Sequence, residues 1–272
     1  MIEKKIQVAS LKRSDELKAF NRLLTIMDQL RENCPWDKKQ TMESLRHLTI
    51  EETHELSDAI IDGDLKEIEK ELGDLMLHLI FYAKLGSEKR AFDIETVLKE
   101  ICDKLIRRHP HIYGDATAEN EDKVKSNWEK IKLKETGNTS VLGGVPRSLP
   151  AMIKAMRIQE KASGIGFDWE KGSQVLAKIE EEIKEFKIEL QEKTKKSQQV
   201  NEEFGDVLFS LINYARFQGI DPEEALEKTN KKFIKRFKYL EKKSKEKGKL
   251  IAEMTLLEMN VHWEEAKKDI DN

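Results

Sequence analysis

The chain has 272 residues, which at about 150 residues per domain predicts two domains with ample length for a core. Charged side chains make up 37% and the hydrophobic set 38%, and 49 basic against 52 acidic residues leave a formal charge of −3. That balance gives no basic footprint for nucleic acid or an anionic membrane. Cys34 and Cys102 are too few for a disulfide framework, so a reducing cytoplasm is the default. The first residues carry charges but no apolar core, so no signal peptide is expected. The longest apolar runs, around Leu75–Ala83 and Val207–Ala215, fall short of the ~18 residues of a membrane span.

In chain order the elements read as helices. Ile68, Leu72, Leu75, Leu79 and Tyr82 recur at steps of four, three, four and three, one face of a helix. Asp93 ahead of Ile94-Glu95-Thr96 marks the next helix start. Glu135–Pro150 gathers three glycines and two prolines among small polar residues and reads as a linker. Val200, Phe204, Val207, Leu211 and Tyr214 then repeat the helical stepping. Asp221-Pro222-Glu223-Glu224 has Asp as N-cap and Pro at the first helical position. No alternating strand pair joined by a tight turn occurs, and the five prolines interrupt no apolar repeat. The expected fold is all-α, two helical-bundle domains at 1–135 and 151–272 joined by 136–150.

The chain also repeats itself. Ile50–Leu56 matches Glu180–Phe186 at an offset of 130, and Glu71–Leu75 matches Glu203–Val207 at 132. Asp93, Lys104 and Arg108 pair with Asp221, Lys232 and Arg236 at 128, and Trp128 and Lys132 with Trp263 and Lys267 at 135. Two diverged copies of one domain thus keep the same polar positions.

Glu52 and Glu55, and Glu71 and Asp74, are each three apart and share a helical face bordering the apolar stripe. Glu182 with Glu185 and Glu203 with Asp206 repeat the pattern. Four clustered carboxylates repel, and protonation or a cation must offset the repulsion. A hard divalent ion suits oxygen ligands, and Mg2+ suits a few carboxylates plus substrate phosphates. A single E-x-x-E is more often a solvated acidic face; its duplication argues for a site. Lys104 with Arg108 and Lys232 with Arg236, each four apart, suit a polyanion. Residues 231–249 hold ten Lys or Arg, however, and such runs are usually solvated faces or weak nucleic-acid patches. Trp128/Lys132 and Trp263/Lys267 fit a base-stacking platform or plain core equally. Trp36 and Trp169 read as packing anchors, and the histidines as structural or surface residues, because His54, His78, His109 and His111 have no histidine counterpart in the second copy. No P-loop, dinucleotide fingerprint or C-x-x-C is present.

E-E-x-x-E followed 15–20 residues later by E-x-x-D resembles the all-α NTP pyrophosphatase superfamily, and the chain is similar to its tandem-domain MazG family. Leu24–Leu56, Lys104–Asp115 and Ile158–Glu185 carry the likeness, which runs from about Leu17 to Lys267. The resemblance implies hydrolysis of nucleoside triphosphates between the α- and β-phosphates, with Mg2+, by a homodimer of helical domains. It implies metal on Glu52, Glu55, Glu71 and Asp74 in the first copy and on Glu182, Glu185, Glu203 and Asp206 in the second. Lys232, Arg236, Trp263 and Lys267, with Lys104, Arg108, Trp128 and Lys132 as first-copy equivalents, then take triphosphate and base. One of Glu181, Glu182 and Glu185 orients the attacking water. Lys178 and Glu202 join the second copy's substrate residues; their counterparts are Leu48 and Lys70, so the second copy is expected to be the main catalyst. The competing expectation, a helical interaction or nucleic-acid-binding module built on 231–249, leaves the repeated acids without a role.

Overall fold

A computed structural model describes residues 13–114, 124, 131, 140–191 and 197–270. Every regular element among them is helical. The chain divides into two compact units, Met1–Glu135 and Thr136–Asn272.

In the first unit α1 spans Ser14–Asn33, α2 Met42–Asp62, α3 Leu65–Glu88, α4 Ile94–Arg108 and a single turn, α5, Pro110–Tyr113. The starts are set by side chains that take the orphan N–H groups of the first turn. Thr41 accepts from Ser44 N at 3.1 Å while Ser44 accepts from Thr41 N at 2.9 Å. Asp64 takes the amides of Lys66 and Glu67, and Asp93 closes the same reciprocal box with Thr96. Gly63 ends α2 at φ +68, a left-handed conformation open to glycine. α2 and α3 pack as an antiparallel-style hairpin around that turn, with α1 and α4 against α3. Their core is Met27, Leu45, Ile80, Phe81 and Leu85, with Leu48, Tyr82 and Ile94 among the side chains packed on it. Arg31 ties the far end: its guanidinium holds Glu88 through two bonds of 2.8 and 2.9 Å and donates to the Gln40 carbonyl at 3.2 Å.

In the second unit α6 spans Ala151–Ser163, α7 Gly172–Gln191, α8 Ser197–Phe217, α9 Pro222–Glu246 and α10 Leu256–Ile270. Asp221 caps α9 by accepting from Glu223 N at 2.9 Å and Glu224 N at 3.1 Å. α7 pairs with α8, α6 lies on both α8 and α9, and α9 pairs with α10. Ala155, Val175, Ile179, Val207, Ile212 and Leu240 are buried there. Arg216 grips Asp168 and so holds the loop ahead of α7 against the end of α8.

The apolar stripes are covered on one side only. Within α3 the unit buries Glu71, His78, Phe81 and Leu85, whereas Leu72 and Leu79 are more than half exposed. Phe204 and Leu211 of α8 are nearly half exposed. Trp36 and Trp169 do not anchor their units either, at 55% and 41% exposure. The fixed points beside them are the Asp37 carbonyl, bonded to Arg31, and the Asp168 carboxylate, bonded to Arg216. No helix among the described residues is long and apolar enough to cross a membrane.

Candidate active site

The repeated acids come together across each helix pair. In the first unit α2 supplies Glu52 and Glu55 and α3 supplies Glu71. One carboxylate oxygen from each lies within 4.8 Å of the others. Glu71 is buried at 2% exposure. Its Oε1 accepts from Lys70 Nζ at 2.7 Å. No hydrogen-bond donor among the described residues reaches its Oε2, which is buried. A carboxylate oxygen in that state costs free energy unless a proton or cation meets it. Burial raises the Glu52 carboxyl above its ordinary range; the charges of Asp74 and Glu55 add to the rise, followed by a hydrogen bond with Glu71 and that residue's charge.

In the second unit α7 supplies Glu182 and Glu185 and α8 supplies Glu203, again within 4.8 Å. Here the buried member is Glu182, at 7%. Lys178, one turn earlier on α7, lies 2.8 Å from both Glu182 and Glu181. These carboxylates hold the lysine's pKa above its usual value. Burial raises Glu203, and Glu185, Asp206, Glu189 and Glu182 push it further. Asp74 and Asp206 fall outside the tight triads, although their charges act on Glu52 and Glu203.

Glu189 is a residue that the sequence argument passed over. It stands four beyond Glu185 on α7, where the first copy has the buried Ala59. The available signal was the run Glu182, Glu185, Glu189 at helical spacing.

The basic and aromatic residues of the second unit also meet, where α9 packs on α10. The Arg236 guanidinium lies 5.7 Å from the Trp263 ring centroid. Phe233, which the sequence did not single out, tilts against Trp263 at 5.0 Å and stacks on Phe237 at 6.1 Å. Lys267, one turn beyond Trp263, pairs with Glu264 at 2.5 Å. Lys232 is exposed on α9, and Glu202, exposed on α8, accepts from Gln198 at 3.1 Å. In the first unit Lys104 is exposed and Arg108 half-buried at the end of α4; Trp128 and Lys132 lie outside the described residues.

His78 is buried in the seam of α2 and α3. Its Nδ1 lies 2.8 Å from Thr49 Oγ1, which also lies 2.8 Å from Tyr82 OH. Thr49 Oγ1 also lies 3.0 Å from the Leu45 carbonyl, so the three side chains share one network, and burial keeps the imidazole's pKa low. The histidine is a helix-pairing group, as the sequence comparison expected.

Known proteins resemble both units of the chain. The model of the MazG nucleotide pyrophosphohydrolase domain matches twice, over residues 40–113 and 170–240, one match in each unit. The chain belongs to the MazG family. A Thermotoga maritima relative, named nucleoside triphosphate pyrophosphohydrolase/pyrophosphatase MazG, is 42% identical over 91% of this chain and 95% of its own length. The Escherichia coli K12 nucleoside triphosphate pyrophosphohydrolase is 40% identical over 92% and 97%. Among solved structures, a mazG-related protein from Thermotoga maritima aligns over 41% of this chain and 97% of its own, with 25% identity and a TM-score of 0.38. Each MazG match spans the helix pair that carries the acids and all or most of the following basic helix.

Proposed function

We propose that this MazG-family chain hydrolyses nucleoside triphosphates between the α- and β-phosphates, releasing a nucleoside monophosphate and pyrophosphate, with Mg2+ held by the clustered acids. The observation that carries the metal assignment is Glu71: a buried carboxylate beside Glu52 and Glu55, one oxygen on Lys70 and the other without a donor among the described residues. An all-oxygen donor set with raised carboxyls fits a hard divalent ion. The chemistry supplied by bound magnesium is neutralisation of phosphate charge and activation of an attacking water.

The chain's own side chains divide the remaining work. Glu52, Glu55, Glu71 and Asp74, and in the second unit Glu182, Glu185, Glu203 and Asp206, hold the ions. Arg236 and Lys232 take the phosphates, the Arg by its planar fork and the Lys as a point charge. Trp263, framed by Phe233 and Arg236, gives the base a flat apolar face and Lys267 adds charge at its edge. A carboxylate among Glu181, Glu182 and Glu185 orients the water. The second unit is the main catalyst, since it joins Lys178 and Glu202 to these groups. The half-covered stripes of α3 and α8 support a homodimer, and two free cysteines suit a cytoplasmic enzyme.

The test is to quantify products from a panel of NTPs and dNTPs with Mg2+, for wild type, Glu55→Gln and Glu185→Gln. Wild type yields nucleoside monophosphate and pyrophosphate in equal amounts. Glu185→Gln loses about 10- to 100-fold in rate, the range that even outer partners of a metal site command, and Glu55→Gln keeps most of it. Orthophosphate with a diphosphate product, or no product, overturns the reaction. A larger loss in Glu55→Gln reverses the roles of the units.

A further inference from the structure

The two acidic sites draw their ammonium from opposite helices. In the second unit Lys178 on α7 reaches Glu182, the buried acid on that same helix. In the first unit the corresponding position on α2 is Leu48, packed on the hydrophobic core and lost to the site. There the buried acid is Glu71 on α3, and Lys70, also on α3, reaches it at 2.7 Å. The second unit has Glu202 where the first has Lys70. The lysine therefore follows the buried carboxylate from one helix to the other, one ammonium to each site. In a linear comparison Lys70 is an intruder among acids and the first copy lacks a cation. Each lysine nevertheless pairs with the buried acid of its own site.

The first site has a further property that points to a ligand. Glu71 Oε2, on a side chain 97% removed from solvent, has no basic or amide donor among the described residues while the oxygens of Glu52 and Glu55 lie close by. Lys70 itself is 58% exposed and is held at the rim by Glu67 at 3.3 Å as well as by Glu71. It is accessible from outside the cluster while its carboxylate is not.

We propose that Lys70 is a phosphate-contacting residue of the first unit's acidic site, with the part that Lys178 has in the second. This rests on the metal role given above to the acids. An ion bound from the cluster side takes over the charge of Glu71, and the ammonium of Lys70 then turns to a phosphate oxygen. A lysine suits that exchange because it is a compact point charge on a flexible stem.

The test uses the full chain with the second site disabled by Glu182→Gln and Glu185→Gln together. It is titrated calorimetrically with Mn2+ and then, in saturating Mn2+, with inorganic pyrophosphate. One pyrophosphate is expected to bind per chain. Adding Lys70→Met weakens pyrophosphate about 10-fold or more with Mn2+ affinity held within about 2-fold, and Lys70→Arg retains most of the binding. Unchanged pyrophosphate affinity in Lys70→Met overturns the proposal. An equal loss of Mn2+ and pyrophosphate does so too, since Lys70 would then only shape the acids. So does a disabled chain that binds no pyrophosphate. Wild type separates the two levels: if it binds Mn2+ and pyrophosphate, the function proposed above survives, and if it binds no divalent ion, both fall. Thermal melts of each variant establish that the fold is retained, and Lys70→Gln, with the same expected loss, stands in if Met does not fold.

Discussion

At the start of the last helix Glu258 accepts both oxygens' worth of hydrogen bonds, from Lys249 at 2.8 and 2.9 Å and from Thr255 N at 2.7 Å. These partners, Lys249 foremost, pull its carboxyl from 4.5 down to about 2. A depressed folded-state pKa means that the contribution is in full above the unfolded value of 4.5 and disappears as pH falls toward about 2. Glu258→Gln is therefore expected to melt below wild type at pH 7, with the gap closing as pH falls through that window. A constant gap in melting curves across pH 7 to 2 would sink the assignment. The same residue-scale logic separates the acids of the two sites: Lys70 and Lys178 each pair with the buried carboxylate of their site, and burial raises the carboxyl across the seam.

Helix boundaries were the most legible feature of the chain, because capping is local chemistry. Asp93 and Asp221 cap the helices that their sequences announced. The box at Thr41 escaped notice because its third partner is Ser44 rather than Glu or Gln. Thr41→Ala is expected to lose about 1 kcal/mol, seen as a lower denaturation midpoint in urea. Packing was less legible. Periodicity marks an apolar face but not the surface that covers it, so the repeat through Leu72 and Leu79 located α3 without disclosing that its unit buries Glu71, His78 and Phe81 instead. Phe81, at 2% exposure among Met27, Leu45 and Leu85, is the better measure of the core. Phe81→Ala should cost about 3–5 kcal/mol, and a loss below ~1 kcal/mol in the same urea titration would mean that the site is not packed as described.

For the whole molecule, the duplication made the acids stand out, since two copies retained them while much around them changed. It hid the exchange of lysines, because position-by-position comparison assumes that equivalent charges stay on equivalent helices. It also said nothing of Phe233 beside Trp263, a contact between α9 and α10 that no spacing within either helix encodes. The exposed stripes set an expectation at this scale: wild type sediments as a dimer, and Leu79→Lys with Phe204→Lys as a monomer. Sedimentation of both forms at the same mass would remove these faces from the interface. The seam of the first unit has one more consequence. Thr49, His78 and Tyr82 bond to one another there, while the second unit has Ile179, Ser210 and Tyr214 at the matching positions. A chimera splicing α7 against α3 would set a hydrocarbon beside the imidazole that now bonds to Thr49. The duplicated halves have become parts of one design that no longer accept each other's spares.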